Sequence, residues 1–109
     1  MLNLVNKKCV VCEFGGLSLP KETITTLLGE IHTGWTLSGD EKRLTHIFRF
    51  HDFKEAMEFV NRVAALAEAE GHHPDMKISW NKVTLELTTH AVGGLSENDF
   101  ILASKIELL

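Results

Sequence analysis

The chain is short of several things. No apolar run approaches the ~20 residues needed to cross a bilayer, and Met1 to Val11 carries no apolar h-region of the kind that marks a secretory signal. Both point to the cytoplasm, where thiols stay reduced. Basic residues are in deficit: 11 Lys and Arg stand against 15 Asp and Glu, a net charge of −4. That excludes non-specific nucleic-acid binding, which needs a basic surface to displace counterions from phosphate. There are only two cysteines, Cys9 and Cys12. A single C-x-x-C supplies half of a tetrahedral zinc site. A redox C-x-x-C opens a helix after a strand, whereas this one runs into the loop-like Glu13-Phe14-Gly15-Gly16. Gly93-Gly94 lacks the rest of a G-x-x-x-x-G-K phosphate loop. No sequence repeat is evident, and no stretch is so poor in apolar residues that it must be disordered.

What is present fits one domain over residues 1–109, with 1–17 as an irregular lead-in. Ser18 can cap a helix whose first turn tolerates Pro20 and whose apolar stripe is Ile24, Leu27, Leu28 and Ile31. Trp35 and Leu37 begin a short strand, Ser38-Gly39-Asp40-Glu41 makes a turn, and Leu44 to Phe50 returns, with Leu44, Phe48 and Phe50 on one face. Asp52 with Glu55 resembles a capping box. The helix it opens carries Phe53, Ala56, Met57, Val60, Ala64 and Ala67 at helical spacing and stops near Gly71. Met76, Ile78 and Trp80 then alternate with polar residues, as do Val83, Leu85 and Leu87, around an Asn81-Lys82 turn. Trp80 reads as core. Ser96 and Asp99 form a second capping box for a last helix through Ile101, Leu102, Ile106 and Leu109. The order α-β-β-α-β-β-α describes an α+β fold: a four-stranded antiparallel sheet with three helices on one face.

Of six histidines, His72, His73 and His90 gather. A two-residue turn at Asn81-Lys82 pairs Trp80 with Val83. Continued to the open end of the hairpin, that register sets Pro74 beside Thr89, His73 beside His90, and His72 near Ala91. Imidazole titrates near neutrality, so such a cluster supplies an acid and a base together. Glu68, one helical turn before His72, can fix a tautomer. Solvated or capping histidines are the plainer alternative. A metal site is another, disfavoured because neighbouring residues on a strand point to opposite faces. His32, His46 and His51 read as structural or solvent-facing, and Asp99 as the capping-box acid.

Glu68-x3-His72-His73-Pro74, Trp80, Thr88-Thr89-His90, Gly93-Gly94-Leu95-Ser96 and Asp99, with Gly34-Trp35, Phe50-x-Asp52-Phe53 and Asn81-Lys82-Val83 outside them, resemble the signature of the pterin-4a-carbinolamine dehydratases over about residues 18–109. The resemblance implies the same fold and a hydro-lyase. That enzyme turns 4a-hydroxytetrahydrobiopterin, left after an aromatic amino acid hydroxylase has acted, into quinonoid dihydropterin and water, in tetrahydrobiopterin recycling. It implies that His72, His73 and His90 line the site by acid–base catalysis, that Pro74, Thr89 and Ala91 touch the pterin, and that Glu68 and Asp99 support them. It implies no metal and no cofactor besides the pterin substrate, and a homodimer or homotetramer. Animal members also serve as dimerisation cofactors of a homeodomain transcription factor, so the rival function is a regulatory protein that has kept the fold. The chain departs from animal members at Gly71 and Met76, and from many members at Trp80.

Overall fold

Asp52 starts the longest helix. Its backbone is extended and its carboxylate accepts the Glu55 N–H at 2.9 Å, satisfying one of the donors that a helix start leaves unpaired. The helix, α2, runs Phe53–Glu70 and buries Ala56, Phe59, Val60, Val63 and Ala67 along one stripe. It ends where Gly71 adopts φ +70° and returns its N–H to Ala67. A side chain there would strain the backbone, and the left-handed residue is what turns the chain sharply towards His72. In this computed structural model, which describes residues 4–9 and 18–109, the other elements are α1 (Lys21–Leu28), β1 (Thr36–Leu37), β2 (Leu44–Arg49), β3 (Asp75–Ser79), β4 (Lys82–Leu87) and α3 (Glu97–Ile106). Cys12 and the loop-like residues after it lie outside the described residues.

The four strands form one antiparallel sheet in the order β1-β2-β4-β3. Alternation along the strands sends Leu44, Val83, Leu85 and Leu87 to the helix-covered face, where all four are fully buried. They pack with Ile24 and Leu27 of α1, the α2 stripe, and Phe100, Leu102 and Ile106 of α3. Central β4 is buried at every second residue, whereas all five residues of edge strand β3 are exposed.

The order of elements is as the sequence predicts, and several details differ. The two-residue turn of the second hairpin is Trp80-Asn81. Ile78 opposes Val83 and Ser79 opposes Lys82, a register two residues from the expected one. The slip is even, so each side chain keeps its face, and the alternation of apolar residues could not detect it. Asn81 decides the turn: its side-chain amide donates to the Phe50 carbonyl at 3.0 Å, and its own carbonyl accepts the Phe50 N–H at 2.7 Å. Trp80 takes the positive φ, +49°, and is 65% exposed rather than core. Phe53 is likewise exposed, and its expected place in the α2 stripe is taken by Phe59 and Val63. Pro20, not Ser18, is the N-cap of α1, β2 stops one residue before Phe50, and α3 ends before Leu109.

The lead-in is not wholly irregular. Leu4–Asn6 forms a short 3-10 helix against α3, and Leu4 is only 3% exposed. Helix α3 is buried almost all round, polar Asn98, Asp99 and Ser104 included, so it is covered on its outer side as well as against the sheet.

Candidate active site

Two elements converge behind the Gly71 turn. Helix α3 begins at Ser96, whose N–H is accepted by Asp99 Oδ2 at 3.0 Å, the capping-box contact. The same Asp99 oxygen accepts the Thr89 hydroxyl at 2.7 Å, and Oδ1 lies 2.6 Å from His72 Nε2. Asp99 is therefore a wholly buried carboxylate with three donors aimed at it. Burial of a carboxylate is tolerated only when its lone pairs are matched in this way. Because Asp99 is acceptor-only as a carboxylate, His72 Nε2 carries the proton of that contact, and Nδ1 is the ring nitrogen that Asp99 does not engage. Thr89 has one hydroxyl proton and gives it to Asp99, so in the 2.7 Å contact between Thr89 and Ser96 the Ser96 hydroxyl is the donor. Ser96 thus supports Thr89, and Thr89 and His72 both rest on Asp99.

Thr89 is held in place by a tight loop. Its backbone bridges to Gly94, and His90–Val92 form a 3-10 turn closed by Gly93. The corrected register, continued past the last ladder pair of Asp75 and Glu86, sets His72 level with Thr89; the expected pairings of Pro74 with Thr89 and His73 with His90 are replaced. His73 Nε2 meets Glu68 Oε2 at 2.5 Å, one turn back along α2, and both side chains face solvent. His90 follows Thr89 directly, is exposed, and makes no side-chain hydrogen bond among the described residues. Pro74 is buried and Ala91 half-buried.

The sequence singled out each of these residues but not the contacts that join them. Asp99 reads as a cap, and it is a cap that also holds His72. Ser96 reads only as a cap, and its hydroxyl supports Thr89. The available signal was the short Gly93-Gly94 loop, which lets Thr89 and Ser96 meet across it.

Two further polar groups make no hydrogen bond to His72 or Asp99. His46 stacks on Phe48 with ring centroids 3.9 Å apart, and a Cβ on Gly34 would meet its ring at 2.3 Å, so a side chain there would displace the His46 ring. Cys9 donates its N–H to Glu70 at 2.9 Å; burial and the neighbouring carboxylate push its thiol up to about 12, far from the range of a reactive thiolate. Among the described residues, no group of three or more His, Cys, Asp and Glu side chains is placed to hold a metal ion, and no helix is long and apolar enough to cross a membrane.

Comparison with known proteins supplies the family. The family model described as pterin 4 alpha carbinolamine dehydratase matches residues 18–109. Relatives provisionally named pterin-4-alpha-carbinolamine dehydratase include proteins from Alkaliphilus metalliredigens, 43% identical over 98% of this chain and 96% of that one, and from Rickettsia bellii, 46% identical over 98% and 94%. Among solved structures, a transcriptional coactivator/pterin dehydratase from Brucella melitensis superposes with a TM-score of 0.78 at 30% identity, covering 84% of this chain and 96% of that one. A pterin dehydratase-like protein identified as a RuBisCO assembly factor in the alpha-carboxysome shares the fold, with a TM-score of 0.61 at 23% identity over 71% of this chain and 89% of that one. The chain belongs to the pterin 4 alpha carbinolamine dehydratase family.

Proposed function

We propose that the protein is a hydro-lyase that converts 4a-hydroxytetrahydrobiopterin to quinonoid dihydropterin and water, in tetrahydrobiopterin recycling. The observation that carries the reading is His72 anchored through Nε2 on a fully buried carboxylate, leaving Nδ1 for proton transfer. The reaction breaks the bond from C4a to the hydroxyl oxygen, which leaves with the electron pair and needs a proton because hydroxide is a poor leaving group. The neighbouring ring nitrogen loses its proton, and its electrons close the new double bond. Nothing is oxidised or reduced. One protonated and one neutral imidazole complete the balance, each worth about 10²–10⁴-fold. We assign His72 and His90 to proton transfer, His73 to holding the pterin together with Pro74, Thr89 and Ala91, and Asp99 and Glu68 to supporting His72 and His73.

Proton transfer alone requires neither metal nor organic cofactor, so activity is expected to survive exhaustive chelation. Stoichiometric zinc whose removal abolishes activity would overturn that part. The reading extends to a cytoplasmic homodimer or homotetramer, supported by the exposed edge strand β3, whose unpaired backbone groups invite another strand. The pterin would come from an aromatic amino acid hydroxylase.

A second reading, a regulatory protein that retains the pterin-binding fold, is favoured by the double description of the Brucella relative. One experiment separates the two: dehydration of synthetic 4a-hydroxytetrahydropterin followed by absorbance. Acceleration over the spontaneous reaction is expected; a rate equal to the spontaneous one would favour regulation.

A further inference from the structure

His72 and Asp99 come from different elements. His72 leaves the end of α2 through Gly71, and Asp99 sits in the first turn of α3. Their 2.6 Å contact therefore depends on how the C-terminal end of α2 is held against α3. The last residue of α2 is Glu70, two positions before His72, and its side chain is only 6% exposed. One carboxylate oxygen accepts Lys105 Nζ from α3 at 2.8 Å, less than two turns along that helix from Asp99. The other accepts the Cys9 N–H at 2.9 Å.

The segment around Cys9 grips α3 as well. Cys9 Sγ donates to the Asn98 carbonyl at 3.6 Å, and Lys7 pairs with Glu97 at 2.9 Å. Leu4 is buried among the core residues. Residues 4–9 thus bind both the first turn of α3, which carries Asp99, and the α2 terminus, which delivers His72. They lie outside the region matched by the family model. Lys105 and the Cys9 N–H hold the Glu70 carboxyl below the usual carboxylate range, as expected of a buried acid whose partners favour its charge.

We infer that Glu70 is a positioning residue: clamped between Lys105 and the N-terminal segment, it fixes the α2 terminus so that His72 meets Asp99. The catalytic consequence rests on the dehydratase reading; the geometric one does not. Glu70 touches none of the proposed reacting groups, so its effect must pass through His72.

The test uses the full chain and two readouts. The first is the His72 Nε2–H proton resonance in ¹⁵N-labelled protein, assigned by its loss in His72→Gln. The second is kcat and KM for dehydration, measured above the spontaneous rate. Glu70→Ala is expected to broaden or shift the resonance and to lower kcat about tenfold with KM within about twofold, since small misplacements of a reacting group are costly. Glu70→Gln keeps an oxygen for Cys9 and loses the Lys105 contact, so it should fall between wild type and Glu70→Ala. Lys105→Met removes the same contact from the other side and should match Glu70→Gln.

A folded Glu70→Ala protein whose His72 resonance is unchanged would overturn the inference. So would loss of folding in both Glu70→Ala and Lys105→Met, which would make Glu70 a determinant of the fold and not of the pair. Absence of catalysis in the wild type, with the resonance changes as expected, would defeat the dehydratase reading and leave the positioning role standing.

Discussion

Two histidine–carboxylate pairs stand on adjacent residues, alike in length and opposite in setting. His72 Nε2 meets Asp99 at 2.6 Å with the side chains 12% and 0% exposed; His73 Nε2 meets Glu68 at 2.5 Å with 58% and 78% exposed. Distance therefore says little about what each pair does. Water competes for every contact of the exposed pair and little for those of the buried one. Asp99 is also fixed by Thr89 and Ser96, so His72 inherits a defined position from the core. The Glu68 side chain has no other hydrogen bond among the described residues, and it orients His73 loosely. The buried pair suits a group that must move a proton at one place; the exposed pair suits a group that grips a substrate as it arrives.

The sharpest way to break that contrast is to delete each carboxylate. Asp99→Ala strands the His72 Nε2–H, the Thr89 hydroxyl and the Ser96 N–H in a buried region, and each unmatched donor costs about 1–3 kcal/mol. A total loss of about 3 kcal/mol or more is expected by urea denaturation. Glu68→Ala should lose less than about 1 kcal/mol, as exposed ion pairs do. Equal losses would mean that burial is not what distinguishes the pairs.

The kinetic contrast is next in size. His72→Ala and His90→Ala should lower kcat by about 10²-fold or more, or about 2.7 kcal/mol of barrier for the first two decades. His73→Ala should act on KM, because a group that binds ground and transition states alike leaves kcat unchanged. His73→Ala should be close to wild type in stability. His72→Ala removes one of the three donors to Asp99 and should be measurably less stable, so its kinetics are to be normalised to folded protein. A folded double variant of His72 and His90 with wild-type kcat would place the acid and base elsewhere.

These contrasts were only partly legible in the sequence. Element order followed from local signals that need no partner: Asp52 before α2, Gly71 after it, Ser96 and Asp99 opening α3. The gathering of His72 with residues near His90 followed from hairpin pairing, but the wrong turn residue shifted the register by two. The deciding contact was tertiary, from Asn81 to Phe50, and no hairpin pattern contains it. The burial of Asp99 was hidden for a similar reason. A capping acid on an exposed helix start has the same sequence as one sealed under Thr89 and His72. Trp80 misled because a large aromatic in an alternating strand reads as core, yet β3 is the sheet edge and Trp80 sits in its turn.

A third histidine completes the comparison, with the smallest expected effect. His46 is partly buried, as His72 is, but has no carboxylate against its ring: it stacks on Phe48, meets the edge of Trp35 and contacts His32, and its Nδ1 reaches only the Ile47 carbonyl at 3.2 Å. Burial lowers it below the ordinary imidazole value of 6.5, helped by the neighbouring His32 and opposed by the Ile47 carbonyl and Glu107. The sign follows from proton counts. Just below pH 6.5 the unfolded chain takes up a proton at residue 46 that the folded chain refuses, so stability falls as pH falls through the window between the ordinary and the folded value. Above that window His46 is neutral in both states and contributes no pH dependence. His46→Gln removes this titration. The wild type should therefore lose more Tm than His46→Gln between about pH 7.5 and about pH 5, each referenced to its own value at the higher pH. Parallel curves would show that partial burial without a carboxylate leaves this histidine as free to charge in the folded protein as in the unfolded chain.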